Sequence, residues 1–365
     1  MLGHSSQAAL RRNVVTRLRA LAKTDDWSPA GLSVTAILCT YNRCEVLLTT
    51  LERLAASQLP SSVAWEVLVV DNNSTDQTRE VVEGFCRRYP GIFRYVFEPT
   101  SGKSHALNTG VMRARGKVLA FVDDDVAMEP PWLHHLTASL HDGKWAGSGG
   151  RILPAQAFAA PAWFSLEGQG ALLFGLFDSG DQPCEIHHAP HGGNMAFRKE
   201  MFEKYGLFRT DIGPGTANPE IPRHNEDTEF GRRLIAAGER LRYEPQAIVY
   251  HPVILERINQ TFFLEWWFDF GRATARELTN RPDVWGIRRE YLKILKALIL
   301  LPIQSARWIF SFNPQKRFRR KSGVWETAGR MIETYRLLAT ASKKELLARQ
   351  ETEPSSASEV TNRRW

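Results

Sequence analysis

The sequence predicts an α/β fold: a mostly parallel sheet flanked by helices, followed by a helical C-terminal extension. Three observations carry this expectation. Between residues 34 and 122 short apolar runs alternate with amphipathic stretches of helical period, the pattern of βαβ units with right-handed crossovers. A chain of 365 residues, 43% hydrophobic and 24% charged, can build one large core plus an appendage. Beyond Pro252 the strand signal stops and the chain turns helical and aromatic, through Phe262-Phe263 and Trp266-Trp267-Phe268.

Residues 9–22 set Leu10, Val14, Leu18 and Leu21 at helical spacing between arginines, and Asp25 to Gly31 reads as a linker around Ser28-Pro29. Val34–Cys39 is the first strand, and Glu45–Ser57 a helix with Val46, Leu47, Leu51 and Leu54 on one side. Trp65–Val70 is the second strand, and Asp76–Tyr89 a helix carrying Val81, Val82 and Phe85. Phe93–Phe97, a helix over Ser104–Ala114, and Val118–Val122 complete the alternation. Residues 154–190 are rich in Pro, Gly and aromatics and read as irregular; residues 211–225, with three prolines and two glycines, read as a loop that can fold over a substrate. Glu226–Ala237 is a helix closed by Gly238, and Ala247–Tyr250 one more strand. The expected domains are therefore 1–31 (amphipathic helix and linker), 32–255 (catalytic domain), 256–350 (basic helical extension) and 351–365 (polar, disordered tail).

Composition excludes several classes. The apolar run Ala297–Ile303 is far short of the roughly 20 residues a spanning helix needs. Arg17 and Arg19 interrupt the N-terminal apolar residues, so no signal peptide is expected. Cys39, Cys44, Cys86 and Cys184 form no C-x-x-C pair, as in a reduced cytoplasmic protein. Gly102-Lys103-Ser104 resembles the end of a P-loop, but Phe97 stands where that motif needs its first glycine; no G-x-G-x-x-G follows the first strand either. Residues 287–350 hold 15 Lys or Arg against 4 acids, while residues 1–286 hold 30 against 33. The basic character belongs to the extension.

Ligands of open parallel sheets bind at the carboxyl edge, so the strand ends are the informative positions. The first strand ends in Thr40-Tyr41-Asn42-Arg43, the second in Asp71-Asn72-Asn73-Ser74-Thr75-Asp76, and the fourth in Asp123-Asp124-Asp125. Three adjacent acids repel one another unless a cation neutralises them, and Mg²⁺ or Mn²⁺ takes carboxylate oxygens together with substrate phosphates. Asn225-Glu226-Asp227 opens a helix after the flexible loop, either as plain caps or as catalytic acids. His187, His188 and His191 cluster without a cysteine or acid at metal-ligand spacing, so no metal is expected there. Trp163 beside Phe164 either stacks on an acceptor sugar or packs internally.

Six motifs occur in order: Thr40 to Arg43, Val70 to Asp76, Gly102 to Gly110, Phe121 to Asp125, Gly192-Gly193-Asn194-Met195-Ala196-Phe197, and Glu226-Asp227. Together they resemble family 2 glycosyltransferases of the GT-A fold, inverting nucleotide-sugar transferases, across roughly residues 32–255. The resemblance implies that Thr40, Tyr41 and Arg43 embrace base and ribose, that Asp71 with Asn73 contacts the base, and that Lys103 and Asn108 lie over ribose and diphosphate. It implies Asp125 as the direct metal ligand, Asp123 as a ribose or metal contact on the nucleotide-sugar, His251 as a further metal-site residue, and Asp124 beside them on the nucleotide-sugar. Asp227 matches the base, Glu226 its neighbour shaping the acceptor site, and Gly193 and Asn194 join Trp163 as acceptor-side candidates.

The implied activity is metal-dependent, inverting transfer from a UDP- or GDP-linked sugar to a saccharide or lipid-linked hydroxyl, in polysaccharide or glycolipid assembly at the inner face of the cell membrane. The alternatives are a sugar-phosphate nucleotidyltransferase, which wants a glycine-rich, arginine-containing first loop, and a non-catalytic nucleic-acid-binding protein using the basic segment. No nucleic-acid partner is expected on the first reading, whereas residues 287–321 suit an anionic membrane surface.

Overall fold

A computed structural model describes residues 32–165, 171, 173–278 and 284–352. These fall into two compact units, one ending at Phe263 and the other beginning at Leu264. The helix expected over 9–22, the linker before Leu32 and the tail beyond Thr352 lie outside the described residues.

The first unit begins with β1 (Leu32–Thr40), α1 (Cys44–Ala55), β2 (Ala64–Asp71), α2 (Thr78–Arg88), β3 (Phe93–Phe97), α3 (Lys103–Arg113) and β4 (Val118–Val122). It continues with β5 (Ala127–Met128), α4 (Trp132–Thr137), β6 (Gly147–Pro154), β7 (Cys184–Ile186), β8 (Asn194–Arg198), α5 (Lys199–Tyr205), α6 (Glu226–Ala236) and β9 (Leu241–His251). One sheet runs β3-β2-β1-β4-β8-β6-β9-β5, with β7 also on β9. Strands β1, β2, β3, β4, β6 and β9 point one way; β5, β7 and β8 point the other. The sheet is thus mixed and mostly parallel, and Val34 and Ala36 to Leu38 in its middle are wholly buried, as strands covered on both faces must be.

Between residues 32 and 251, each predicted element is present with ends shifted by a few residues. The buried stripe of α1 is Leu47, Thr50, Leu51 and Leu54; Val46, expected inside, is 44% exposed because a step of one residue rotates it off that face. Strand β9 is longer than expected: the chain pairs with β6 on both sides of a register shift opposite Gly150 and Arg151, and Pro245 falls inside that irregularity. The core under the sheet gathers Ile37, Leu68, Phe121, Phe197, Phe202 and Phe230, with the Phe202 and Phe230 rings stacked at 4.3 Å.

The second unit holds most of α7 (Gln260–Leu278), with α8 (Val284–Ile309) and α9 (Pro314–Thr352). Gly271 of α7 and Gly329 of α9 allow a close crossing: a Cβ on either would strike the backbone of the other helix, at Glu326 and Phe268. Beside the crossing, fully buried Glu333 accepts from Arg272 at 2.9 Å and Arg276 at 2.5 Å. No helix among the described residues is long and apolar enough to cross a membrane.

Candidate active site

Parallel pairing brings the ends of β1, β2 and β4 to one edge, with Thr40 opposite Asp71 and Leu38 opposite Val122. The first two loops are knotted together there. Asn42 donates its N–H to Ser74 Oγ and accepts from the Thr75 N–H, while Asp76 accepts from the Cys44 N–H. Asn42 and Asn73 both take positive φ, a conformation asparagine tolerates. Burial works to raise the Asp76 carboxyl, but hydrogen bonds from Thr78 and Cys44 outweigh it and hold it at about 2. Asp71 is buried and accepts from the Ser74 N–H and the Tyr95 hydroxyl, leaving Tyr41 and Asn73 exposed at the rim.

The three aspartates after β4 face cations. Arg43 donates to Asp124 at 2.9 Å and to Asp125 at 2.8 Å; Lys103, first residue of α3, donates to Asp123 at 2.6 Å. The enclosed setting pushes the Asp124 carboxyl up to about 6 against the pull of Arg43. Burial also works to raise Asp123, but the Lys103 ammonium outweighs it and keeps that carboxyl below the usual range. Lys103 in turn is driven well above its ordinary value, its desolvation being overcome by Asp123 and Glu226.

Helix α6 supplies the opposite wall. Phe230 and Leu234 anchor it in the core, and Asn225, in the left-handed region at φ 73°, turns the chain into it. Buried Glu226 lies 3.8 Å from Lys103 Nζ, and burial together with the Asp227 charge raises its carboxyl to about 8. Asp227 Oδ2 accepts the Gly192 N–H at 2.6 Å, and Oδ1 accepts from the Thr228 N–H and hydroxyl. A Cβ on Gly192 would stand 2.6 Å from Asp227 Oδ2, and one on Gly193 would stand 2.9 Å from Asp123 Oδ2. The two glycines therefore fill the gap between the β4 acids and the α6 acid.

A divalent cation fits the residues present. Asp123, Asp125 and His251 each offer a ligand atom, all within 4.8 Å of one another. His251 Nδ1 lies 3.1 Å from the Pro252 carbonyl; a proton donated there leaves the Nε2 lone pair on the side of Asp125, 3.9 Å away. Two carboxylates and one imidazole form a hard, oxygen-rich set suited to Mg²⁺ or Mn²⁺.

Not every predicted residue reaches this cleft. Asn108 is buried and spends its amide on Phe208, donating to the carbonyl and accepting from the N–H, both at 2.9 Å. Asn194, fully buried, accepts from Trp132 Nε1 and donates to the Arg151 and Ala247 carbonyls, so it braces β6, β8, β9 and α4 and cannot touch an acceptor. Thr40 is also buried, but its side chain lies against the Asp124 carboxyl on the floor of the cleft. Trp163 stands edge-on to Phe164 and Phe263 in an aromatic cluster. The 211–225 loop is fastened at its root, where Ser104 and Lys103 of α3 donate to the Ile212 and Pro214 carbonyls; Ala217 to Glu220 form its exposed tip. Sequence reasoning missed Gly192 as a holder of Asp227, and the glycine pair before a strand was its one visible signal. His191, of the histidine cluster, packs its ring at 5.0 Å on Phe177, and burial disfavours its charged form, with Asp227 pulling the other way.

Residues 35–206 match the family model described as glycosyl transferase family 2. The succinoglycan biosynthesis protein ExoM of Rhizobium meliloti (strain 1021) is 28% identical over 258 residues, 70% of this chain and 77% of that protein. A glucosyl-dolichyl phosphate glucuronosyltransferase of Haloferax volcanii is 24% identical over 270 residues, 72% of this chain and 83% of its own. Among solved structures, the mannosyltransferase PcManGT of Pyrobaculum calidifontis, in complex with GDP-Man and Mn²⁺, is similar at a TM-score of 0.50 and 18% identity. That likeness covers 95% of this chain and 89% of the mannosyltransferase, and it shows a GT-A fold.

Proposed function

The chain belongs to glycosyl transferase family 2 and is a glycosyltransferase, and from that premise we propose that it transfers a sugar from a nucleoside diphosphate donor to a hydroxyl acceptor with inversion at the anomeric carbon. The acceptor is a saccharide or lipid-linked intermediate of polysaccharide or glycolipid assembly, met at the inner face of the cell membrane. ExoM and the Haloferax volcanii enzyme, by their names, work on such products. A sugar-phosphate nucleotidyltransferase and a nucleic-acid-binding protein are set aside by the family assignment.

One observation carries the reading: Lys103 and the Gly192-Gly193 turn join the strand-end acids to Glu226 and Asp227 in a single cleft. Displacing a nucleoside diphosphate needs charge neutralisation on the leaving side and a base for the incoming hydroxyl. A divalent cation held by Asp123, Asp125 and His251 would supply Lewis-acid neutralisation of the diphosphate. Tyr41, Arg43, Asp71 and Asn73 surround the base and ribose from the knotted loops, with Thr40 beneath them. Arg43 and Lys103 already neutralise the acids, and an incoming diphosphate competes for both. Glu226, raised to about 8, carries a proton at neutral pH and so removes one negative charge from the wall the diphosphate approaches. Asp227 accepts the proton of the attacking hydroxyl; the Gly192 N–H fixes the direction of its carboxylate. Gly193 and Trp163 are the remaining acceptor-side candidates.

Titration calorimetry with UDP and GDP, with and without Mn²⁺, tests the donor half. Binding is expected to require the metal, and Asp125→Ala should weaken it at least about tenfold, one good ligand's worth of free energy. Asp227→Asn should leave nucleotide affinity near that of the parent while transfer falls about 10²–10⁴-fold, the usual loss with a general base. Full transfer by that variant would reduce Asp227 to a helix cap.

A further inference from the structure

Helix α8 is inside out. At about 100° per residue, Leu292, Leu295, Ile299, Ile303 and Phe310 fall within an arc of about 80°, and they are 51–74% exposed. The backbone N–H of Phe310 still bonds to the Ala306 carbonyl, so the last turn carries the row to its end. The opposite side carries buried Ala297 and half-buried Trp308, whose ring meets Trp325 of α9 at 5.9 Å. Past the helix, Phe312 in the short connector is 97% exposed.

The charges beside this face share one sign. Residues 291–325 hold eight Lys or Arg and no Asp or Glu. Lys316, Arg317, Arg319 and Arg320 are exposed in the first two turns of α9, directly after Phe312. Cations are unfavourable at a helix N-terminus, where the macrodipole is positive, so the dipole of α9 does not explain them there; Arg320 alone also donates to a carbonyl in the last turn of α8, that of Arg307. An exposed apolar row rimmed by cations alone is complementary to a surface with an oily interior and an anionic skin.

We propose that the α8–α9 hairpin is a docking element for anionic membrane. The apolar row of α8 with Phe310 and Phe312 enters the boundary between headgroups and acyl chains, and the α9 cations face anionic headgroups. Docking of this kind involves neither donor nor acceptor, so it stands or falls apart from the transfer reaction.

Sedimentation of the full chain with vesicles tests it, using phosphatidylcholine alone and phosphatidylcholine mixed with phosphatidylglycerol, at low and high salt. The parent should pellet with the mixed vesicles and keep part of that binding at high salt, because buried apolar surface is not screened. A variant with Lys316→Ser, Arg317→Ser, Arg319→Ser and Arg320→Ser should partition at least about tenfold more weakly at low salt. A variant with Ile303→Ser, Phe310→Ser and Phe312→Ser should lose the salt-resistant fraction. All the altered side chains are exposed, and unchanged circular dichroism melts would verify that both variants are folded. A parent that stays in the supernatant, or pellets equally with neutral vesicles, overturns the proposal. So does an apolar variant that pellets like the parent. If that variant instead turns a dimer into a monomer in sedimentation velocity with vesicle partitioning unchanged, the face belongs to a second copy. Binding of RNA by a chain that ignores vesicles would assign the cations to nucleic acid.

Discussion

One backbone N–H sets the direction of the residue assigned as base. Gly192 has room for no side chain, since its Cβ would stand 2.6 Å from Asp227 Oδ2. Gly192→Ala must push that carboxylate aside, and misplacing a reacting group by about 1 Å can cost about 10²-fold. The expected outcome is a fall in kcat of about 10- to 100-fold with nucleotide affinity near the parent's, read by steady-state kinetics beside calorimetry. Loss of nucleotide affinity in step with kcat would mean that the turn shapes the donor site instead. At this scale the acids were legible and the amides were not. Asp123, Asp124 and Asp125 stand where an apolar strand ends, and like charges in a row announce a cation. Asn108 and Asn194 belong to motifs of the same resemblance, yet both spend their amides on backbone groups brought near only by the fold. Nothing in a sequence distinguishes an asparagine that meets a ligand from one that satisfies a buried carbonyl.

The elements found from the sequence are those whose own residues determine them. Strands β1 to β4 and helices α1 to α3 show their period plainly, and Gly238 closes α6 at φ 84° as the residue type demands. Strand β6 opens Gly147-Ser148-Gly149-Gly150, a run with no strand propensity. It is a strand because neighbours press on it: a Cβ on Gly147 would strike the Phe197 ring, and one on Gly150 the Ala247 carbonyl. Strand β8, which runs antiparallel between β4 and β6, was invisible as an interruption of a parallel sheet for the same reason. The second unit carries a comparable dependence of helices on partners. Glu333 of α9 is fully buried and joins Arg272 and Arg276 of α7 beside the Gly271–Gly329 crossing. Glu333→Gln keeps the shape but removes the counter-charge, and breaking a buried pair from one side costs about 3–5 kcal/mol. A drop in thermal midpoint of several degrees is expected by calorimetry, with no change in donor affinity. A midpoint within a degree of the parent's would show that the guanidinium groups find other acceptors.

At the scale of the whole molecule, the cleft gathers more acid than base, and the chain bears that as a pH dependence of stability. Asp123, Asp124, Asp125, Glu226 and Asp227 stand against Arg43, Lys103 and the ring of His251. Burial raises Glu226 from its ordinary 4.5 to about 8 and Asp124 from 3.8 to about 6. A carboxyl whose folded value is raised binds its proton more tightly in the native state. Its contribution is therefore present at low pH and is lost as pH climbs from the unfolded value through the folded one. For Asp124 that window runs from about 4 to 6 and for Glu226 from about 4.5 to 8, so both weaken the metal-free protein as the medium passes from acid to neutral. Asp76, held at about 2 by its hydrogen bonds, works the other way and only below pH 4, where its contribution fades. Without added metal, the thermal midpoint should fall between pH 5 and pH 8, and Glu226→Gln, which stays neutral throughout, should lack most of that decline. The difference is expected to be on the order of a few kcal/mol at pH 8, or several degrees for a unit of this size. On the proposed reaction the same proton should also bear on the donor. Above pH 8 Glu226 ionises and repels a diphosphate, so nucleotide affinity should drop there in the parent and stay level in Glu226→Gln. Parallel melting curves for the two proteins across pH 5–9, with affinities that track one another, would show that Glu226 is ionised already at neutral pH. In that case Lys103 would be paired with two carboxylates and held back from the leaving diphosphate.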